Sequence, residues 1–455
     1  MGASRARFAL PVGVLLSGAA LTAVWSAAAA EPGREAAGEA ASGDPRREKP
    51  PETDSESLLT RATLTGDWGG LRTSLAEHGL TLGLIHTADV IGIASGGLHR
   101  RAEWLNDWDL TLTAETEPLL GWRGGKLFLY GLGLWSTGSP SENAGDIQTL
   151  DNIDAPDEWK LYEAWLEQEM FGGRLSLLAG LYDVNEEFDV LETATLLINS
   201  SFGVGKDFSQ SGENGPSIFP STSLGVRIAA QPVANGYVRA AVLDGVPSDS
   251  SDSDTIPDFF DFDSDEGVLG VAEAGYIAGS EEGSDETYTK IGLGGWYYSA
   301  DFDCIGNVGA DGTARRQTGN FGVYLLGERT VYREPQAPER GLAAFARVGF
   351  ADSDVNPVGF YAGAGAVYTG LIRGRPDDRL GLGVAAAFAG HEFEREGEET
   401  GVAVDGAEVT IELTYRARLT PWLALQPDLQ YIVNPSFDPG VEDALALGAR
   451  FEVAF

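Results

Sequence analysis

The chain offers little of what catalysis or metal binding needs. Its 455 residues include one cysteine, Cys304, so no internal disulfide can form and the fold must be held by other means. Its four histidines, His78, His86, His99 and His391, stand at no metal-ligand spacing. The nucleophile elbow G-x-S-x-G, the zinc motif H-E-x-x-H and the phosphate-binding G-x-x-x-x-G-K-[ST] are all missing. A glycosidase would need two carboxylates fixed across a cleft, and nothing in the sequence selects a pair. No catalytic residue, metal site or cofactor is therefore assigned. Basic residues are also few: 31 Lys and Arg against 69 Asp and Glu give a net charge of -38, which excludes a nucleic-acid partner and points to surface solvation.

Long apolar runs are confined to the N-terminus. Arg5 and Arg7 precede an uncharged stretch from Phe8 to Ala30 that closes on four alanines before Glu31, the pattern of an export signal. Cleavage is expected before Glu31, with Ala29 as second choice for the new N-terminus; an uncleaved membrane anchor is the alternative. Loss of Arg5 and Arg7 takes the charge from -38 to -40. Beyond residue 30 no run of about 18 apolar residues recurs, so any membrane crossing by the mature chain must be made by strands.

Residues 31–61 mix Pro32, Pro45, Pro50 and Pro51 with charges and read as a disordered lead-in. Residues 62–78 hold a short helix, which Asp67 can cap, Leu71 and Leu75 can anchor on one face and Gly79 can end. From Gly79 to Phe455 the period becomes two. In 408–419, Val409, Ile411, Leu413, Tyr415, Ala417 and Leu419 alternate with Glu408, Thr410, Glu412, Thr414, Arg416 and Arg418. The same template predicts strands at 79–93, 104–117, 125–136, 159–170, 173–183, 222–231, 236–244, 267–277, 287–299, 319–333, 341–351, 357–371, 378–390, 407–419, 421–433 and 444–455.

That makes sixteen strands, an even number, as a closed antiparallel barrel requires. Long gaps (93–104, 136–159, 183–222, 244–267, 299–319 and 390–407) mostly alternate with tight ones, with 351–357 short where a long loop is due. The fold class is thus all-β, a transmembrane barrel with a short N-terminal helix. In lipid every backbone amide and carbonyl must pair within the protein, so only a closed sheet survives, and its polar alternate faces imply a wet lumen. The partners this implies are outer-membrane lipid and small polar solutes. The terminal Phe455, on the face of Phe451 and Val453, is similar to the signal read by the barrel-assembly machinery.

Four segments carry a family resemblance: Thr65-Gly66-Asp67-Trp68-Gly69-Gly70-Leu71-Arg72, Leu161-Tyr162-Glu163-Ala164-Trp165-Leu166-Glu167-Gln168, Leu197-Ile198-Asn199-Ser200-Ser201-Phe202-Gly203, and Leu425-Gln426-Pro427-Asp428-Leu429-Gln430-Tyr431-Ile432 with Asn434-Pro435. In them the chain resembles the carbohydrate-selective, OprB-type porins of Gram-negative outer membranes. The resemblance implies passive diffusion of sugars and a long loop folded inward to narrow the channel. Here that loop is 184–221, with Glu186, Glu187, Phe188, Asp189, Lys206 and Asp207 as constriction candidates. Its Phe188, Leu191, Leu196, Leu197, Ile198, Phe202 and Phe208 need something to pack against, and the barrel wall can supply it.

Parity selects the remaining lumen candidates. On 159–170 it puts Glu163, Trp165, Glu167 and Glu169 inside, with Tyr162, Ala164 and Leu166 outside. A ring flanked by carboxylates offers a sugar both stacking and hydrogen-bond acceptors; the alternative is that Trp165 simply packs under the long loop. Elsewhere parity gives Asp107, Asp109, Glu115, Arg227, Arg239, Glu412, Arg416, Arg450 and Glu452. The acidic stretch 249–266 spaces Asp261, Asp263 and Asp265 like a calcium loop. It has Glu266 and Ala272 where an EF-hand needs Gly and Glu, so none is assigned, and loose divalent binding is left open. A general ion porin, a membrane-barrel enzyme acting on sugars or lipids, and a plugged barrel are the competing functions; the choice of sugar and any homo-oligomer are left open.

Overall fold

The computed structural model describes residues 57–247, 266–279, 287–308 and 313–455. The export signal, most of the lead-in and most of the acidic 249–266 stretch lie outside them. Sixteen strands follow one another: β1 Leu80–Ser95, β2 Ala102–Glu115, β3 Gly125–Ser136, β4 Glu158–Met170, β5 Leu175–Tyr182, β6 Ser223–Val233, β7 Gly236–Asp244 and β8 Val268–Ala278 form the first half. The second half is β9 Thr289–Val308, β10 Ala314–Glu334, β11 Ala337–Ala351, β12 Val358–Thr369, β13 Arg379–Ala389, β14 Ala407–Thr420, β15 Leu423–Val433 and β16 Ala444–Ala454. Each pairs antiparallel with its neighbours in sequence, and β1 pairs with β16, so the sheet closes without an edge. Closure meets the demand that lipid places on the backbone.

The apolar faces point outward. On β14, Ile411 and Leu413 are 40% and 44% exposed while Glu412 between them is fully buried, the reverse of a water-soluble sheet. Exposed aromatic residues gather toward both ends of the wall, with Trp104, Trp135 and Trp159 at the long-loop end and Trp122 and Phe171 at the short-turn end. Aromatic girdles of this kind mark the two membrane interfaces.

The helix Leu71–Glu77 lies at the short-turn end and fastens the chain terminus. Asp67 accepts from the Thr73 amide and hydroxyl (2.9 and 2.8 Å), and Gly79 leaves the helix at φ +83°. Arg72 stacks on Trp68 and donates to the Phe455 backbone oxygen at 2.7 Å, while the Leu64 amide donates to Ala454. Of the expected lead-in, the described residues 57–61 meet the barrel, where Leu58 accepts from the Trp422 indole at 2.7 Å.

Three expectations change. Much of the 299–319 gap is strand, because β9 and β10 run on as a polar hairpin in which Asp301 accepts from Thr318 and Asp303 pairs with Arg316. The β9 arm alternates Asp301, Phe302, Asp303 and Cys304, but the β10 arm carries Arg315, Arg316, Gln317 and Thr318 in a row, so only one arm has a strand pattern. A bulge where β4 opposes Tyr130 and Gly131 turns both Tyr162 and Glu163 inward, so Tyr162 is buried inside, not on the lipid face. The 390–407 gap contains a helix, His391–Thr400, closed by Gly401 at φ +75°.

The core sits inside the barrel. Two long loops, 137–157 and 183–222, fold into the lumen and bury their apolar side chains on the inner wall. Leu150, Ile153 and Ala155 pack on Ile91, Ile93, Leu105, Leu132 and Leu134. Phe188, Leu191, Leu197, Phe202 and Phe208 pack on Leu243, Val271, Trp296, Tyr324, Leu326 and Phe345. The glycine-rich strands make room for them, since a Cβ at Gly383 would come 2.6 Å from Leu197 and Phe202.

Candidate functional site

What holds the loops inside is a set of wall carboxylates that accept from consecutive loop amides. Glu328 on β10 takes the amides of Glu192 (3.0 Å) and Thr193 (2.7 Å), and Glu412 on β14 takes those of Ile198 (2.6 Å) and Asn199 (2.9 Å). Four residues away on the same face of β14, Glu408 takes Ile147 (2.9 Å) and Gln148 (3.0 Å) of the other loop, together with Ser436. Glu273 on β8 accepts from Asp189 N at 3.0 Å and from the Tyr237 and Tyr324 hydroxyls. Charge-assisted bonds to backbone amides are about twice as strong as neutral ones, and each pair fixes position as well as orientation.

Wall donors hold the loop carbonyls. Gln426 donates to Leu196 (2.7 Å), Gln430 to Leu150 (2.8 Å), Lys290 to Val190 (2.7 Å) and the Tyr361 hydroxyl to Ser201 (2.6 Å). The Asn199 side-chain NH2 also donates to the Gln430 side-chain oxygen at 3.2 Å. Two of the sequence landmarks, 197–203 and 425–432, are thus the two halves of one loop-to-wall contact.

The strongest ionic contact is at Arg347 on β11. Its guanidinium forks onto Asp189 (2.8 Å) and Asp207, between the faces of Tyr324 and Tyr361. Asp189 and Asp207 are among the constriction candidates of the sequence, whereas Arg347 is not; its signal is the one charge in the stretch 341–351, otherwise built of Gly, Leu, Ala, Phe and Val. Burial pushes the Asp189 carboxyl up to about 6 against the pull of Arg347. Burial also lowers Lys206 to about 8, with Glu408 and Asp146 opposing the shift.

The remaining expected residues are spread over several separate contacts. Glu167 binds Lys126 (2.7 Å) and Arg227 (3.0 Å), and Arg227 continues to Glu187 at 2.6 Å. Arg239 donates to the Glu187 carbonyl and lies 3.7 Å from Glu273. Glu163 accepts from the Trp165 indole at 3.0 Å, and Trp165 stacks on Phe128 at 4.9 Å under the Lys126 ammonium. Glu169 is exposed at the short-turn rim, and Glu186 is half-buried.

Across the barrel seam, Arg450 forks onto Asp89 (2.6 Å) and reaches Asp151, near buried Asp107 and Asp109; Tyr130 donates to Asp109. Parity brought these residues to the lumen side, but Glu163, Glu167, Asp107, Asp109, Arg227 and Glu412 are buried, so they brace loops and wall instead of facing open water. Arg416, paired with Glu452 at 2.6 Å, does line open space.

That open space lies under the docked loop at the short-turn end. One cavity of about 340 Å³ is lined by Glu192, Thr193, Tyr288, Arg333, Arg340 and Arg379 among others. A second, of about 170 Å³, has Leu196, Arg379, Arg416, Arg418, Arg450 and Glu452 in its walls. Arg379 belongs to both. The closed barrel thus encloses a braced inward loop, 183–222, with a polar vestibule beneath it.

Comparison with known proteins agrees with this geometry. Porin B of Pseudomonas aeruginosa is 24% identical over 424 residues, covering 86% of this chain and 91% of that protein. The high-pH structure of Pseudomonas putida OprB superposes with a TM-score of 0.78 at 22% identity, covering 88% of this chain and all of that one. The outer-membrane channel DcaP of Acinetobacter baumannii gives 0.52 at 11% identity, over 83% of this chain and 97% of that one. Residues 99–455 match the family described as carbohydrate-selective porin, OprB family. With that match over most of its length, this outer-membrane β-barrel belongs to the OprB family of carbohydrate-selective porins.

Proposed function

We propose that the chain lets neutral sugars and other small polar solutes diffuse passively past the docked 183–222 loop and turns none of them over. The observation that carries the reading is the loop itself, braced inside a closed barrel by Glu328, Glu412 and Arg347 above a polar vestibule. Flux requires that a solute be held weakly enough to leave, so a sugar site here should have a Kd of about 1 mM, or about -4 kcal/mol. Lipid around the wall and the barrel-assembly machinery at the Phe455 strand are the other partners of this reading.

The test is liposome swelling with sugars of increasing size, together with sugar block of ion current in planar bilayers. Entry of small sugars, unchanged on recovery, is the expected result. Ion current without sugar entry or block would make the chain a general ion porin. Chemical change of the sugar would make it an enzyme, and absence of both current and swelling a plugged barrel.

A further inference from the structure

The vestibule under the loop is basic although the chain is strongly acidic. Its two cavities are lined by Arg333, Arg340, Arg379, Arg416, Arg418 and Arg450 against Glu192, Glu339, Asp377 and Glu452. Four of these arginines have carboxylate partners: Arg340 with Glu334 at 3.2 Å, Arg416 with Glu452 at 2.6 Å, Arg418 with Asp377 at 3.7 Å and Arg450 with Asp89 at 2.6 Å. Arg379 has neither an ion pair nor a hydrogen bond among the described residues, and its Nε is buried without a partner. It lines both cavities, so a solute in either lies beside its guanidinium.

Arg379 as a whole is half-buried, and with no protein acceptor its planar fork is free to hold a carboxylate with two parallel hydrogen bonds. In the larger cavity the loop residue Glu192 supplies the opposite chemistry, a carboxylate that can accept from hydroxyl groups. A solute with a carboxylate at one end and hydroxyls along the rest suits both; a neutral sugar can donate to Glu192 but offers Arg379 only uncharged hydroxyl oxygens, without the charge-assisted fork. Building on the sugar-porin reading, we propose that Arg379 is the specificity-determining residue of the channel exit and that the solutes it favours are sugar acids, polyhydroxylated chains or rings bearing a carboxylate.

The experiment is block of chloride current through the reconstituted full-length protein in planar bilayers, with gluconate, glucose and acetate as probes. Gluconate is expected to half-block at about tenfold lower concentration than glucose, the effect of one charge-assisted fork, and acetate at no lower concentration than glucose. Arg379→Gln should abolish the gluconate advantage and leave glucose block within about twofold. Arg418→Gln, which removes the same charge from a paired arginine in the same vestibule, should preserve it. Equal block by gluconate and glucose in the wild type, or equal loss of both in Arg379→Gln, overturns the proposal while leaving the sugar porin standing. Acetate blocking as well as gluconate overturns it in favour of a plain anion site. If no probe blocks and glucose does not enter liposomes, the sugar-porin reading fails with it.

Discussion

Glu328→Ala is the most direct test of how the loop is held. The wild-type carboxylate, almost fully buried, accepts from Glu192 N (3.0 Å), Thr193 N (2.7 Å) and the Tyr288 hydroxyl (2.7 Å), and alanine removes all three bonds. A hydrogen bond to a charged group contributes about 1.5–3 kcal/mol. The three act as a unit and lumen water can replace part of them, so a net loss of about 3 kcal/mol for docking of this segment is expected. At 1.4 kcal/mol per decade that is about a hundredfold rise in the undocked population. Glu328→Gln keeps the shape and one acceptor while aiming an NH2 at one of the amides, so its rise should be nearer tenfold.

The assay is hydrogen exchange of the reconstituted protein followed by peptide mass analysis, with single-channel current as a second readout. Peptides covering 188–198 should exchange faster in the order wild type, Gln, Ala, while a peptide over 145–150, held independently by Glu408, keeps its rate. The current should flicker more as the loop leaves the wall above the 340 Å³ cavity. Equal acceleration of both peptides would mean that Glu328 supports the barrel as a whole. No acceleration in either would mean that the carboxylate does not hold the loop.

Phe451→Asp puts a carboxylate on an exposed outer position and should cost up to about 1 kcal/mol near the interface; with deletion of Phe455 it should reduce heat-modifiable barrel in membranes, and unchanged migration and yield in both would count against the assembly role. Trp165→Ala is expected to weaken sugar block of ion current about fivefold, from about 1 kcal/mol of stacking, with open-pore conductance the same or larger; no change would move the recognition surface to the loop. N-terminal sequencing of membrane-purified protein should begin at Glu31, and a chain beginning at Met1 or Gly2 would exclude cleavage.

The wall was legible because a strand's period of two is imposed by geometry and shows directly in residues such as Val409 to Leu419. The inward loop was legible for a related reason, since Phe188, Leu197 and Phe202 could not be left in water. The bracing was not. Parity tells which face Glu328 and Glu273 occupy but not what lies opposite, and their partners are backbone amides, which every residue but proline carries. Loop 137–157 escaped notice because its large apolar residues, Ile147, Leu150 and Ile153, are few among many polar ones. The bulge that turns Tyr162 inward is a single extra residue that no alternation marks. The acidity, read as surface solvation, also lies inside: buried carboxylates such as Asp189, Glu273, Glu328, Glu408 and Glu412 outnumber the buried cations Lys206, Arg227, Lys290 and Arg347, and backbone amides supply the missing donors.

Because those donors belong to the backbone, the loop's side chains can change where its amides cannot, and Thr193 separates the two. Its backbone has φ -66°, the value proline fixes, and its N–H is used by Glu328 and not by the helical turn that follows. Thr193→Pro therefore keeps φ and removes the donor, placing ring carbon against a carboxylate oxygen that was 2.7 Å from nitrogen. Loss of one charge-assisted bond, about 1.5–3 kcal/mol, should raise exchange in 188–198 by tenfold or more. Thr193→Val deletes the hydroxyl and leaves the amide, so exchange should stay at the wild-type rate. The same comparison in a Glu328→Ala background should show no further effect of proline, since the acceptor is already gone. If Thr193→Val loosens the loop as much as proline does, the side chain is what docks, and the account of wall carboxylates reading backbone amides is wrong at this position.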